Sequence, residues 1–269
     1  MACLERNGAL ADNPLEILVK QLKRLPSDGG VYHKILEELR DPNGTLETVG
    51  VLVASDPAIA VEVIRTVNSA AFGYSRTICD PLDATLLLGG DQILAITLMV
   101  EVFGIQDGVH CPGFSFPRLM SHSRTVGWNA RGLMRQERAK RQLVGAAFTG
   151  GLLHDVGKLL LAANFPNEYG GCGNQTEEER VFGANHAAIG ARFLERWEVP
   201  GPIVEGVAQH GILSAGTGDD ISLSDSLFIA NAQAHFQQQT APSGDSLSDQ
   251  ISLLEERFGG DRMAEWGFR

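Results

Sequence analysis

The chain has 269 residues, 43% of them hydrophobic, enough to build a core in one large domain or two modest ones. A formal net charge of −11 excludes a general nucleic-acid binder, which needs a basic footprint for the phosphates. Four scattered cysteines (Cys3, Cys79, Cys111, Cys172), with no Cys-x-x-Cys pair, argue against a disulfide framework or a thiolate zinc knuckle, and for a reducing, cytoplasmic setting.

Residues 1–13 hold two acidic side chains and no apolar run of secretory length, so no signal peptide is expected. Beyond them, apolar residues recur at helical spacing: Val31, Ile35 and Leu39, then Ala60, Val63, Ile64 and Val67. Asp56-Pro57 and Asp80-Pro81 each pair an N-cap acceptor with a proline suited to the first helical turn. The apolar stretch Ile93 to Val100, bounded by Asp91 and Glu101, is too short to cross a bilayer. It predicts a helix buried nearly all round, with Ile96 and Met99 inside.

From Gly104 to Pro117 periodicity stops, which predicts a connector (104–117) between an N-terminal helical lobe (13–103) and a C-terminal one (118–269). Arg135 to Arg141, the one basic cluster, reads as a solvated turn between helices. Ala147 to Ala162 reads as a single helix. Thr176 followed by Glu179 suggests a capping box, and Ile189, Phe193 and Trp197 mark the helix that follows. Pro200-Gly201-Pro202 separates that helix from the next, and 211–220 and 240–244 read as loops. Ile251, Leu254 and Phe258 give a last apolar face. No long run alternates apolar and polar residues, so the expected fold is all-α.

Chemistry centres on Leu152-Leu153-His154-Asp155-Val156-Gly157-Lys158. His and Asp are donors that hold hard or borderline metals without thiolates. Neighbours on a helix point about 100° apart, so His154 and Asp155 serve one site only if it lies between their directions. Lys158 falls one turn on, over the same face, as an ion-pair partner of Asp155 or a phosphate-binding group. Gly157 leaves room for another helix or a ligand to approach.

This segment resembles the signature of the HD superfamily of metal-dependent phosphohydrolases. More closely, Leu22 to Phe236 resembles the HDOD domain, the HD-related output domain of bacterial signal transduction. The marks are Leu25-Pro26, Asp56-Pro57, Asn68-Ser69-Ala70-Ala71-Phe72-Gly73, Leu86-Leu87-Leu88-Gly89, Asn185-His186-Ala187-Ala188-Ile189-Gly190 and the stretch Pro202 to His210. The resemblance implies an HD-like helical bundle in the second lobe and a metal-ligand set of His122, His154, Asp155, His186, His210 and Asn231. Asp155 would bridge two ions.

Three departures weaken that set. Asn231 stands where the family has an aspartate, Gln209 where many two-metal relatives have a histidine, and the Gly-Tyr-Pro element of the cyclic-dinucleotide phosphodiesterases is absent after His210. An amide contributes a dipole and no charge, so Asp155 is left as the one anionic ligand among the matched positions. Asp225 could substitute only in a different helical register, about 240° away. The expectation is therefore a divalent ion (Mn, Fe, Zn or Mg) weakly bound or absent, and a non-catalytic signalling or scaffold module with a protein partner. The alternative is a metal-dependent phosphohydrolase acting on a nucleotide or similar phosphoester, with Asp155 and Lys158 as its catalytic candidates. A third reading is a sensor that binds a nucleotide without turnover. Asn68 is expected to organise a loop and Phe72 to anchor the core. His33, His110 and His235 receive no role.

Overall fold

The computed structural model describes residue 18 and residues 30–69, 77–104, 110–214, 220–238 and 247–268. Phe72, Leu25-Pro26 and the loop 240–244 lie outside the described residues, as do parts of the connector and of 211–220. Among the described residues there are helices and no strands. Local sequence sets several helix starts. Asp56 accepts from the amides of Ala58 and Ile59 to open α3 (Pro57–Val67), after α1 (Gly30–Arg40) and α2 (Leu46–Ala54). Asp80 does the same for Leu82 at the head of α4 (Pro81–Leu88). Asn68 clamps the chain between them, with its amide bonded to the carbonyls of Ile64 and Ile78 and the Ile78 amide returned to its oxygen.

α5 (Gly90–Gly104) is the apolar helix, with Ile93, Ile96, Leu98 and Met99 all buried. Its Glu101 reaches across to accept from the amides of Val31 and Tyr32, capping the first turn of α1 from 70 residues away. Burial raises the Glu101 pKa even so. Tyr32 donates its hydroxyl to the Trp197 carbonyl, tying α1 to the later helices.

The second part of the chain is built on α6 (Phe116–Gln136) and α7 (Arg141–Leu153). These two cross where Gly127 meets Gly151; a Cβ on Gly151 would lie 2.5 Å from the Gly127 Cα. α8 (Val156–Asn164), α9 (Pro166–Tyr169), α10 (Gln175–Phe182), α11 (His186–Arg196), α12 (Gly201–Gln209) and α13 (Leu223–Gln238) follow. α14 (Leu247–Phe258) and α15 (Gly260–Glu265) close the chain by packing Leu254, Met263 and Trp266 against Leu133, Phe228 and Ile229.

Two local expectations are corrected. The run Ala147 to Ala162 is not one helix: it breaks at His154-Asp155, where the Asp155 backbone (φ −101°, ψ 14°) leaves the helical path. The cap of α10 is Asn174, which accepts from the Glu177 amide, and not Thr176, which lies inside the helix. Both side chains are plausible caps by type. Asn174 wins because it stands in the extended conformation, just before the first helical residue.

Candidate metal centre

The break between α7 and α8 lets two adjacent side chains face one point. His154 Nε2 lies 3.3 Å from Asp155 Oδ2. α11 brings His186 to the other oxygen, with its Nε2 3.4 Å from Asp155 Oδ1. The end of α12 brings His210, whose Nε2 is 3.7 Å from that same oxygen. From α6 comes His122, its ring 5.3 Å from that of His154, and from α13 comes Asn231, bonded to His122 Nε2 at 2.9 Å. All six positions expected from sequence therefore meet in one cluster, drawn from five segments.

The approach of α11 depends on Gly157. A Cβ there would stand 1.9 Å from the His186 carbonyl oxygen, so any side chain would push His186 away from Asp155. Gly157 thus admits a helix, one of the two occupants its small size left open.

Hydrogen bonds fix which imidazole nitrogens carry protons. His154 Nδ1 sits 2.8 Å from the Gly151 carbonyl, and His210 Nδ1 sits 2.7 Å from that of Val207. A carbonyl only accepts, so Nδ1 is the donor in both rings and Nε2 of the neutral ring carries a bare lone pair. His186 Nδ1 is held at 2.7 Å by Glu178 Oε2, a buried carboxylate that also accepts from the His186 amide. Three lone pairs therefore converge on a carboxylate. Asp155 Oδ1, His154 Nε2 and His186 Nε2 are fully buried and make no hydrogen bond.

Unmatched acceptors at such distances repel one another and are costly to bury. A divalent cation removes that cost. An outer hydrogen bond from each ligating imidazole to a carbonyl or carboxylate is the arrangement that orients histidine ligands. Tetrahedral ligands about 2.05 Å from zinc stand roughly 3.3 Å apart, close to the separations of His154 and His186 from the Asp155 oxygens, with His210 wider at 3.7 Å. The residues fit the group. Two ligand sets are possible, His122 with His154 and Asp155, and Asp155 with His186 and His210.

Electrostatics agree with an anionic Asp155. Burial raises its pKa, but positive charge at His154, carried by a proton on that ring when no ion is there, and the Lys158 ammonium outweigh it and hold the carboxyl well below the usual range. Lys158 Nζ pairs with Oδ2 at 2.9 Å, so Lys158 takes the first of its two expected roles here. Burial, reinforced by His154, pushes His122 down to about 3 and His210 well below the ordinary histidine value.

Asp225 is not at the centre. It accepts from the amides and hydroxyls of Ser214 and Ser222 and from Arg257, at distances of 2.7 to 3.3 Å. Two neighbours of the cluster escaped the sequence reading. His235 stacks on His122 with ring centroids 4.7 Å apart, and burial, then Lys158, lowers it to about 4. The signal was its position one helical turn beyond Asn231, on the same face. Glu178 had no such signal, because only the tertiary fold places it beside His186.

Comparison with known proteins places these features in a family. The HDOD domain model matches residues 25–212. A crystal structure of a protein from Shewanella amazonensis SB2B, provisionally named a metal-dependent phosphohydrolase, has a TM-score of 0.66 at 20% identity, covering 92% of this chain and 91% of that one. Another, of a protein from Marinobacter aquaeolei VT8 provisionally named for signal transduction, has a TM-score of 0.58 at 18% identity over 95% of this chain and 65% of that one. At such identities the likeness is one of fold. An uncharacterized protein of Treponema pallidum is 21% identical over an alignment of 236 residues that covers 83% of this chain and 44% of that protein. The chain thus spans less than half the length of that curated relative.

Proposed function

This chain belongs to the HDOD family, and on that footing we propose that it is a signalling module whose HD-type centre holds structure and does not turn over a substrate. The observation that carries the reading is burial. His154, Asp155, His186 and His210 are 0%, 2%, 1% and 2% exposed, and Lys158 lies over Asp155 with its ammonium already paired. A phosphoester has to bring an oxygen to the centre, and ligands this deeply buried favour a reading without turnover.

Asp155, His186 and His210, with His154 alongside, are the residues that would hold a single divalent ion. A bound ion would supply positive charge among four lone-pair donors and Lewis acidity toward an oxygen ligand. His122 is committed elsewhere, since its Nε2 donates to Asn231 Oδ1 and its ring lies against His235. Asn231 thus turns one half of the cluster into a neutral hydrogen-bonded pair. The module's output would be contact with a protein partner in a signalling pathway.

A second reading, a metal-dependent phosphohydrolase acting on a nucleotide or similar phosphoester, draws on one observation: Asp155 belongs to both possible ligand sets, as a carboxylate shared by two ions does. One experiment separates the two. Protein purified without chelator or nickel is assayed for metal content, then for turnover of cyclic dinucleotides, nucleoside phosphates and a nitrophenyl phosphoester with added manganese or iron. The proposal expects no turnover above the Asp155→Ala control. Turnover abolished by that substitution establishes the phosphohydrolase instead.

A further inference from the structure

The stretch from Arg131 to Arg141 concentrates positive charge in an otherwise acidic chain. It holds Arg131, Arg135, Arg138, Lys140 and Arg141 against one carboxylate, Glu137. Glu137 is used elsewhere: it accepts from Arg262 at 2.6 Å and from the Trp266 indole at 3.0 Å. The sequence alone reads Arg135 to Arg141 as a solvated turn; the structure leaves Arg135 and Arg141 exposed but turns them, with Arg131, toward a common space. Arg131, Arg135 and Arg141 line one cleft of about 910 Å³, closed on its other side by the junction of α4 and α5.

The cleft has two kinds of wall. Arg131 and Arg135 stand one turn apart on α6, and Arg141 is the first residue of α7, whose N-terminus has no side-chain cap. The Arg131 guanidinium is braced by the rings of Trp128 and Phe148, 5.5 and 5.9 Å from their centroids. Among the described residues no carboxylate forms an ion pair with Arg135 or Arg141, and Asp91 is the one carboxylate in the lining. Leu39 and Leu87, from α1 and α4, add apolar lining, and Val144 lies one turn beyond Arg141 on α7.

We propose that this cleft binds a phosphate-bearing small molecule of nucleotide size. Its phosphate oxygens would lie on the guanidinium groups of Arg135 and Arg141, and its apolar part on Leu39, Leu87 and Val144. Guanidinium forks match phosphate oxygens two at a time. A single exposed arginine contributes little in water, but several cations lining one concave cleft focus the field on an anion. The volume falls in the range of small-molecule sites, roughly 300–1,000 Å³. The site is separate from the metal centre and does not rest on the function proposed above.

Calorimetry with ATP and with inorganic pyrophosphate tests this on the full chain. Both probes bind the unmodified protein, and affinity falls as salt is raised. The paired substitution Arg135→Ala with Arg141→Ala weakens binding about tenfold or more, the loss of at least one charge-assisted hydrogen bond. Asp155→Asn keeps the unmodified affinity. Both arginines are exposed, so the pair should fold; if circular dichroism shows otherwise, Arg135→Gln with Arg141→Gln replaces it. Failure of both probes to bind overturns the proposal. So does binding that survives the arginine substitutions or disappears in Asp155→Asn, and so does capture of an acidic polyglutamate peptide in place of either phosphate probe.

Discussion

Gly157→Ala should damage the protein far beyond what one methyl group suggests. The added carbon would stand 1.9 Å from the His186 carbonyl oxygen, 2.7 Å from its carbon and 2.9 Å from the Gly190 amide nitrogen. These are backbone atoms, so no rotamer change relieves them. A carbon–oxygen contact settles near 3.3 Å, so α8 and α11 have to part by about 1.4 Å. That movement unpacks the fully buried Ile189 and Leu160 and takes His186 off Asp155.

Overpacking of this kind costs about 1–3 kcal/mol, occasionally more, and alanine's better helix propensity returns at most about 1 kcal/mol. Because the clash is with backbone, the cost stands at the top of that range, and the resulting net loss of about 2 kcal/mol lowers Tm by roughly 4–8 °C in a chain of this size. Gly132→Ala is the internal control. It lies inside α6, and its added carbon would meet nothing within 4 Å, so it should gain about 0.5–1 kcal/mol. Thermal and urea unfolding of both variants decides the matter. If Gly157→Ala melts within about 1 °C of the parent, the close helix crossing is wrong, and the convergence of His186 on Asp155 falls with it.

Asn231→Asp places a second carboxylate beside His122 and should raise manganese, iron or zinc affinity about tenfold or more by calorimetry, with an unchanged circular dichroism spectrum. A folded variant with no gain would show that a carboxylate at this position does not turn His122, His154 and Asp155 into a ligand set. Asp225→Ala removes a buried carboxylate from Arg257 and two serines and should cost about 3–5 kcal/mol in urea unfolding; a loss under about 1 kcal/mol would mean the pair is screened like a surface one. Burial raises the Asp225 pKa, but its bonds to Ser222, Arg257 and Ser214 outweigh it and hold it below the usual value. Its stabilising effect is thus fully present above the unfolded carboxylate pKa, about 3.9, and is lost as pH falls through the lower folded value. Asp225→Asn should therefore flatten the acid limb of a stability–pH curve.

The parts of the fold legible in sequence are those decided within a few residues. Asp56 and Asp80 cap their helices because each acceptor reaches only two or three residues ahead. The apolar run around Ile96 and Met99 is buried because no face of it is polar. What escaped was set between elements and not within one. Glu101 caps α1 from 70 residues away and His235 covers His122 from another helix, while Glu178 reaches His186 over only eight residues but across the turn between two helices. The break at His154-Asp155 was hidden for a different reason: apolar residues keep helical spacing on both sides of it, so the periodicity runs through the interruption.

That break and the amide at Asn231 together explain the state of the centre. On a continuous helix His154 and Asp155 would diverge by about 100°; the turn between α7 and α8 puts them 3.3 Å apart instead. One half of the cluster is satisfied: His122 donates to Asn231 and is covered by His235. The other half keeps buried acceptors without donors at Asp155 and His186. A buried acceptor left bare costs about 1–3 kcal/mol, so the unsatisfied half is where an ion or a proton has the most to contribute. Divalent metal should accordingly raise Tm in the parent protein and lose that effect in His186→Ala, while His122→Ala, which breaks only the neutral half, should retain most of it. The opposite pattern, with His122 essential and His186 dispensable, would place the ion on the Asn231 side and undo this account of the amide.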